Sequence, residues 1–305
     1  MFIRHMTYLV ALAREKHFGR AAEACNVTQP TLSWGLKALE RELDMRLVVR
    51  ASRFMGLTPE GERVVDWAGQ ILSDYESLKQ DMEAFRGCLK GTLRLGVIPA
   101  AMPAIAALTT PFSSKHSEVV IEVHSMMSAE IQRSLDKFEL DVGLTYLENE
   151  PLQHVREAAL YSERYLFVTS RDARTGNDTV ITWEDAVASN LCLLDESMQN
   201  RRVLNNLARS LGFELSPKIT TNSFLAVCSH VCSGKWSSII PHTFTYIFAG
   251  RENLVFLDLI EPVHTQSIGI VAADRDPLPP LARAFMSFAT RLNLEQSLGA
   301  TFEPA

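Results

Sequence analysis

Cysteine and histidine side chains carry the most reactive chemistry in this 305-residue chain, and their spacing decides what they can do. Cys228 and Cys232 stand four residues apart, with His230 between them and His242 further on, a pattern open to a metal ion or a redox switch. Zinc sites, however, use closer cysteine pairs and four ligands. A peroxide-reactive thiol needs an electropositive neighbourhood, and Cys192 has no basic residue close in sequence. We therefore interpret these cysteines as core residues without a metal, with thiol redox chemistry as the alternative.

Motifs typical of enzymes are missing from the sequence. It contains no nucleophile elbow, no phosphate-binding loop and no HExxH pattern. The carboxylate pair Glu148 and Glu150 falls in a predicted loop, which favours a solvated surface over acid–base catalysis. We therefore expect a binding protein with no catalytic residues and no cofactor.

The net charge of −6 is unevenly distributed along the chain. Residues 1–58 contain nine Lys or Arg and five Asp or Glu, a net charge of +4. The remaining residues contain 21 Lys or Arg and 31 Asp or Glu, a net charge of −10. A short basic module joined to a long acidic one indicates contact with nucleic acid by the first part only.

Export and membrane insertion are not indicated. No apolar run approaches the roughly 18 residues that a spanning helix needs, and the first 24 residues lack a cleavage pattern. We expect no membrane partner, a cytoplasmic location and reduced thiols at the five scattered cysteines, which are Cys25, Cys88, Cys192, Cys228 and Cys232.

The basic module has the pattern of a helix-turn-helix. Residues 3–16 place apolar side chains at helical spacing, and a second short helix fits Gly19–Cys25. Thr28 is placed to cap the next helix, whose first turn contains Pro30. Leucines then recur at spacings of 4, 3 and 4, at Leu32, Leu36, Leu39 and Leu43. The second helix of such a motif enters the major groove of DNA.

The opposite face of this helix is polar and suits base edges. Gln29 has the groups to pair with adenine, Thr31 and Ser33 can reach bases or phosphates, and Lys37 suits a phosphate. Segments 47–50 and 54–57 are typical of a small β-ribbon, or wing, that follows the DNA backbone. A generic helical subdomain with a solvated face is the alternative. The predicted DNA contacts are Thr28, Gln29, Pro30, Thr31, Ser33, Trp34, Lys37, Arg50 and Arg53.

A long helix follows the wing. Thr58-Pro59-Glu60 is a strong helix start, and apolar residues then repeat at 4-3-4-3-4-3. The repeat consists of Val64, Ala68, Ile71, Tyr75, Leu78, Met82 and Phe85. Such a narrow seam predicts a homodimer coiled coil, with packing on its own domain as the alternative.

The acidic remainder alternates strands and helices, which predicts a parallel sheet covered on both faces. Two α/β units joined by crossing strands would enclose a cleft, lined by the turns after Ile98, Val123, Thr145 and Leu194. The helix expected after Pro99 would present free N–H groups to a small anion.

The predicted fold is an α+β multidomain chain with three parts. They are a winged helix-turn-helix (1–58), a linker and dimerisation helix (59–87) and an α/β effector-binding domain (88–305), with subdomain I at 91–162 plus 266–305 and subdomain II at 163–265.

The N-terminal residues resemble the signature of LysR-type transcriptional regulators. The similarity runs from His17-Phe18-Gly19-Arg20-Ala21-Ala22 through Val27-Thr28-Gln29-Pro30-Thr31-Leu32-Ser33, and continues with Leu39-Glu40, Arg50 and Leu57-Thr58-Pro59-Glu60-Gly61. The resemblance implies a dimer of dimers on double-stranded promoter DNA and a small co-inducer in a periplasmic-binding-protein-like domain. The effector contacts that it implies are Pro99, Ala100, Ala101, Ser128, Thr145, Ser197, Gln199 and Asn200.

Three positions depart from the pattern of these regulators. Trp34 replaces the usual arginine after Ser33, Cys25 replaces a leucine, and Ala100 replaces a hydroxyl residue in the cleft. Segment 144–152 is similar to regulators associated with formate dehydrogenase operons.

The predicted function is a DNA-binding transcriptional regulator controlled by a small organic anion, such as formate, that closes the cleft. Two alternatives are a thiol-based redox-responsive regulator of the same fold and a solute-binding protein of a transporter. The fused helix-turn-helix and the absence of a signal peptide count against the second.

Overall fold

The structure is a computed structural model that describes residues 3–50, 54–85, 89–173, 179–248 and 253–296. The chain divides into two compact units. The first is Met1–Leu89 with Asp136–Glu139, and the second is Lys90–Leu135 with Leu140–Ala305. No helix in the described ranges is long and apolar enough to cross a membrane.

The N-terminal unit is the winged helix-turn-helix and long helix that the sequence predicts. Its elements are α1 (Ile3–Glu15), α2 (Phe18–Ala24), α3 (Gln29–Glu42), β1 (Val48–Arg50), β2 (Phe54–Leu57) and α4 (Pro59–Ala84). Leu9 and Leu12 of α1 pack with Leu32, Leu36 and Leu39 of α3, all almost fully buried. The leucine spacing of α3 therefore fixes which face turns inward and leaves its N-terminal polar face outside.

Two hydroxyl caps set the starts of α3 and α4. Thr28 Oγ1 accepts a hydrogen bond from the Thr31 amide (3.4 Å), and Thr58 Oγ1 accepts one from the Gly61 amide (2.9 Å). Thr58 also donates to the carbonyl of Arg46 (2.6 Å), which holds the start of α4 close to the chain that leads into β1. Each cap satisfies amides that a helix start leaves without partners.

The C-terminal unit is a two-subdomain α/β structure, as predicted. Its elements are β3 (Gly91–Val97), α5 (Ile105–Lys115), β4 (Val119–Ser125), α6 (Ser128–Asp136), β5 (Val142–Tyr146), β6 (Val155–Ser170), β7 (Val180–Thr182), α7 (Trp183–Val187), β8 (Cys192–Leu194), α8 (Gln199–Ser210), β9 (Ile219–Thr221), α9 (Phe224–Cys232), β10 (Ser238–Pro241), β11 (Leu254–Ile260), β12 (Thr265–Ala273) and α10 (Pro280–Arg291). Short 3₁₀ segments cover Pro99–Ala104, Arg171–Ala173 and His242–Phe248.

Strand β6 joins the two halves of this unit. Its first part pairs with β12, whereas its last residues pair with β10 and β11. The strand order of the large sheet is β4-β3-β5-β12-β6-β11-β7, and β8 and β9 form a separate parallel pair. The half around β3, β4, β5 and β12 is called the first half below, and the half that contains β7 to β11 is called the second half.

The predicted parallel sheet is wrong for the unit as a whole. The strand β12 runs antiparallel to both β5 and β6, so the sheet is mixed. The strand expected near 165–168 is only the end of β6, which has 16 residues. The helix expected directly after Pro99 begins as the 3₁₀ segment with Pro103 inside it, and α5 starts only at Ile105.

Candidate functional site

The N-terminal half of α3 presents side chains to solvent on the face opposite the leucines. Gln29, Pro30, Thr31, Trp34 and Lys37 are exposed. Two further predicted contact residues are less available to DNA. Ser33 is half-buried, and the Thr28 hydroxyl is engaged in the cap, where its Oγ1 lies 2.8 Å from Thr31 Oγ1. Arg53 and the side chain of Arg50 lie outside the described residues.

Trp34 is the largest exposed side chain on this face, at 62% exposure. The imidazole ring of His5, from α1, meets the indole edge-to-face with ring centroids 5.8 Å apart. His5 is buried, and burial lowers its pKa, so the ring is neutral at pH 7. Sequence reasoning noted Trp34 but had no signal for its aromatic neighbour on another helix.

The C-terminal unit contains a cavity of about 310 Å³ between its halves. Six of the eight predicted effector residues line it, namely Pro99, Ala100, Ser128, Ser197, Gln199 and Asn200. The other two, Ala101 and Thr145, are fully buried and do not line it. Thr145 Oγ1 instead lies 2.7 Å from Ser128 Oγ and orients that hydroxyl.

Eight of the 14 residues that line this cavity are not among the predicted effector contacts, and Tyr146, Arg202 and Phe224 are three of them. Tyr146 and Arg202 follow predicted residues closely in sequence, and Phe224 begins α9. A second cavity of about 320 Å³ shares Pro99 and Phe224 with the first and includes Cys228 in its wall. The two cavities therefore adjoin each other along the cleft.

A chain of buried hydrogen bonds joins both halves beside the cavity. Asn200 Nδ2 of α8 donates to the Tyr146 hydroxyl (3.0 Å), and this hydroxyl donates to Glu163 Oε1 on β6 (2.8 Å). Tyr161 and Tyr165 flank Glu163 at every second position of the strand and are also buried. The sequence contains a signal for this cluster, because Tyr161, Glu163 and Tyr165 occupy alternate positions and so share one face of a strand.

Glu163 has no exposed surface, and burial raises its pKa from 4.5 to about 8. Burial likewise raises the pKa values of Tyr146, Tyr161 and Tyr165 well above 10. No cation is among the groups that shift the Glu163 pKa. The cluster is therefore uncharged at neutral pH, with the carboxyl group protonated.

Gln199 stands at the first position of α8 and has an unusual lack of partners. Its side chain is 8% exposed, yet neither the amide oxygen nor the amide nitrogen has a hydrogen-bond partner among the described residues. The preceding Met198 offers no side-chain cap to the helix. Buried polar atoms are normally paired, so the two amide N–H groups and the amide oxygen of Gln199 remain for a ligand or water.

The cations beside the cavity are already engaged. Arg202 pairs bidentately with Glu150, with both nitrogen–oxygen distances 2.7 Å, and that hydrogen bond raises its pKa. Arg201 is buried and donates to Asn205 Oδ1 and the carbonyls of Leu194 and Leu215. Arg202 thus holds Glu150 at the edge of the cavity, and Arg201 connects α8 to the chain around Leu194 and Leu215 inside the second half.

Three of the four described cysteines, Cys25, Cys192 and Cys228, are poor candidates for reactive thiolates. Cys192 and Cys228 are buried, and burial raises both thiol pKa values, that of Cys228 to about 12. Burial also raises the pKa of the half-buried Cys25 thiol. Within the described ranges, no group of three or more His, Cys, Asp and Glu side chains could hold a metal ion. Cys88 lies outside these ranges.

Comparison with known protein families identifies the family of this chain. Residues 3–62 match the family described as bacterial regulatory helix-turn-helix protein, lysR family, and residues 86–293 match the LysR substrate binding domain. The chain belongs to the LysR family of transcriptional regulators. It is therefore a DNA-binding regulator with an effector-binding domain, in a family of regulators and not of enzymes.

Relatives of this LysR-family chain include a protein of Escherichia coli O6:H1 named hydrogen peroxide-inducible genes activator, which is 27% identical over 279 residues, 91% of each chain. The DNA-binding transcriptional dual regulator OxyR of Escherichia coli is 27% identical over 279 residues, 91% of each chain. A full-length OxyR variant from Pseudomonas aeruginosa, with an aspartate in place of one cysteine, has the same fold, with a TM-score of 0.77, 23% identity and 97% coverage of both chains. Full-length CbnR complexed with its target DNA also matches, with a TM-score of 0.67, 20% identity and coverage of 95% of this chain and 99% of that one.

Proposed function

We propose that this LysR-family member binds a specific promoter sequence through residues 1–58 and responds to a small molecule bound in domain 88–305, with helix 59–87 joining subunits. The observation that carries the proposal is the exposed polar start of α3, held outward by its buried leucines. The DNA contacts would be the nine residues predicted above. Seven of them lie between the cap residue Thr28 and Lys37 of α3, and the other two are Arg50 and Arg53.

Footprinting on the DNA that flanks its own gene tests sequence-specific binding. The full chain should protect a defined segment. Competitor DNA of scrambled sequence, added at the same concentration as the promoter DNA, should not abolish this protection. Arg53→Ala should weaken binding to all sequences and lower the salt dependence, because a phosphate contact is lost. Equal affinity for the promoter and for scrambled DNA would contradict the proposal.

The exposed apolar positions of α4 support self-association. Tyr75, Leu78, Met82 and Phe85 are exposed at heptad spacing, with Phe85 83% exposed. Two copies packed along this seam would pair two α3 helices, and a dimer of dimers would contact two promoter sites. Leu78→Glu should lower the mass measured by light scattering, whereas the exposed control Val263→Glu should not.

The effector is proposed to be a small organic monoacid with an apolar body. Gln199 offers an unpaired amide donor, Ser128 offers a hydroxyl, and the start of α8 adds main-chain N–H groups and a favourable dipole. Ile98, Met127, Leu194 and Phe224 supply apolar walls. Formate has only three heavy atoms and would leave most of the 310 Å³ cavity to water.

Thermal shift measurements with formate, butyrate and butyramide test this effector class. Butyrate should raise the melting temperature more than formate, because it fills more of the cavity, and more than its uncharged analogue butyramide. Gln199→Leu should reduce the butyrate response. The absence of a shift with either acid would contradict the monoacid proposal.

Thiol-based redox control is the second candidate, favoured by the relative named hydrogen peroxide-inducible genes activator. The buried, protonated Cys192 and Cys228 thiols count against it, since thiolates react with peroxide. Peroxide treatment followed by mass mapping and DNA binding tests it. A new disulfide that alters DNA affinity would favour redox control over the organic acid.

A further inference from the structure

The exposed face of α3 changes character along its length. Pro30, Trp34, Lys37 and Arg41 are spaced by 4, 3 and 4 residues, so they form one stripe, and all four are exposed. The stripe is apolar in its first turns and cationic in its last turns. The apolar part lies at the N-terminal half of the helix, which the proposed function places deepest in the major groove.

Trp34 packs on one side against α1 and is otherwise exposed. His5 contacts the indole edge-to-face at 5.8 Å and is itself packed beside Tyr8, with ring centroids 6.1 Å apart. Gly35 makes this packing possible, because a Cβ there would lie 2.6 Å from Tyr8 Cδ2 and 2.9 Å from His5 Cδ2. An indole ring that already packs on one side against α1 has less freedom to lose on binding than a side chain without such a contact.

The chemistry of an exposed indole limits what it can recognise. A guanidinium at this position would suit the acceptors of guanine, whereas an indole has an apolar face and one donor. The hydrocarbon group that base pairs display in the major groove is the 5-methyl group of thymine. We propose that Trp34 is a specificity-determining residue that reads a thymine methyl in each half-site.

This inference rests on the proposed function, since it needs α3 in the major groove, and the test separates the two. A duplex is first selected by the wild-type full chain from a random-sequence library. Each thymine of the selected half-site is then replaced in turn by deoxyuridine, which removes only the methyl group. Dissociation constants are measured by fluorescence anisotropy for the wild type, Trp34→Ala and Lys37→Ala.

For the wild type, one substitution per half-site should weaken binding about fourfold, the effect of losing one buried methyl group. Trp34→Ala should bind the thymine and deoxyuridine duplexes equally at that position. Lys37→Ala is the control, because it should bind all duplexes more weakly yet keep the difference between thymine and deoxyuridine. Unchanged circular dichroism should show that Trp34→Ala folds, as expected for an exposed position.

Two results would overturn the assignment of Trp34 while leaving the proposed function intact. One is a selected site at which no deoxyuridine substitution affects the wild type. The other is a Trp34→Ala variant that keeps the full thymine preference, or that changes only the oligomeric mass because Trp34 contacts another copy. If the wild type selects no sequence at all, the proposed function fails together with this inference.

Discussion

Glu163→Gln should remove a pH dependence of stability that the buried carboxyl group imposes on the C-terminal unit. The pKa of Glu163 is raised by burial from 4.5 to about 8, so the folded chain keeps this proton up to about pH 8. The unfolded chain loses it near pH 4.5. The free energy of unfolding should therefore fall as the pH rises through this window and level off above about pH 8.

The size of the effect follows from the two pKa values. One pKa unit corresponds to about 1.4 kcal/mol, so a carboxyl pKa of about 8 implies at most about 5 kcal/mol. Because the total change equals the pKa shift multiplied by this factor, we expect the wild type to lose up to about 5 kcal/mol of stability relative to Glu163→Gln between about pH 5 and pH 8.5. An amide has no proton to lose, and its oxygen still accepts from the Tyr146 hydroxyl.

Urea unfolding from about pH 5 to pH 9, followed by tryptophan fluorescence, measures this difference. Trp183 is buried in the second half and reports on its unfolding. The pKa of His242 is lowered to about 4 by burial and adds its own pH dependence, which cancels in the comparison because both variants keep His242. Glu157→Gln on the exposed face of the same strand is the matched control.

The expected result is a wild type that loses stability relative to Glu163→Gln as the pH rises, with Glu157→Gln following the wild type. Parallel pH curves for the wild type and Glu163→Gln would refute the reasoning. They would mean that the carboxyl group is ionised in the folded chain and that burial does not dominate its surroundings.

Three further changes test the two sites. Gln29→Ala should weaken binding to the selected duplex by about 1–3 kcal/mol with little effect on scrambled DNA, measured by anisotropy. Gly35→Ala should destabilise the N-terminal unit by about 1–3 kcal/mol in thermal unfolding, because the new methyl group would lie 2.6 Å from Tyr8. Ser128→Ala should reduce the butyrate-induced thermal shift without altering DNA affinity, since its hydroxyl is held by Thr145 at the cavity.

Local sequence signals were sufficient for the N-terminal unit. The cap at Thr28, the proline at Pro30 and the leucine spacing predicted α3 and its exposed face because helix starts and helix faces depend on neighbours in sequence. These features need no knowledge of how distant segments meet. The effector contacts Gln199 and Asn200, by contrast, were implied by the resemblance to LysR-type regulators.

Features of the cleft that depend on sheet order could not be predicted. The hydrogen bonds of Tyr146 join it to residues 17 and 54 positions away, Glu163 and Asn200. They form only because β12 inserts between β5 and β6 and because β6 passes from one half to the other. Alternation of Glu163 with Tyr161 and Tyr165 along β6 is a local signal for an inward-facing carboxyl group, but nothing local indicates that the Tyr146 hydroxyl meets it.

The chain of hydrogen bonds at the cavity also connects ligand binding to the arrangement of the two halves. Tyr146 belongs to the first half, Asn200 to the second, and Glu163 to the strand that joins them. A ligand that takes the Asn200 amide as its own donor would weaken one link between the halves, and a ligand that bridges Ser128 and Gln199 would add another. One hydrogen bond contributes about 1 kcal/mol, which changes a two-state population about fivefold. Because a ligand shifts such an equilibrium only by its difference in affinity for the two states, these few polar atoms are enough to make the shift.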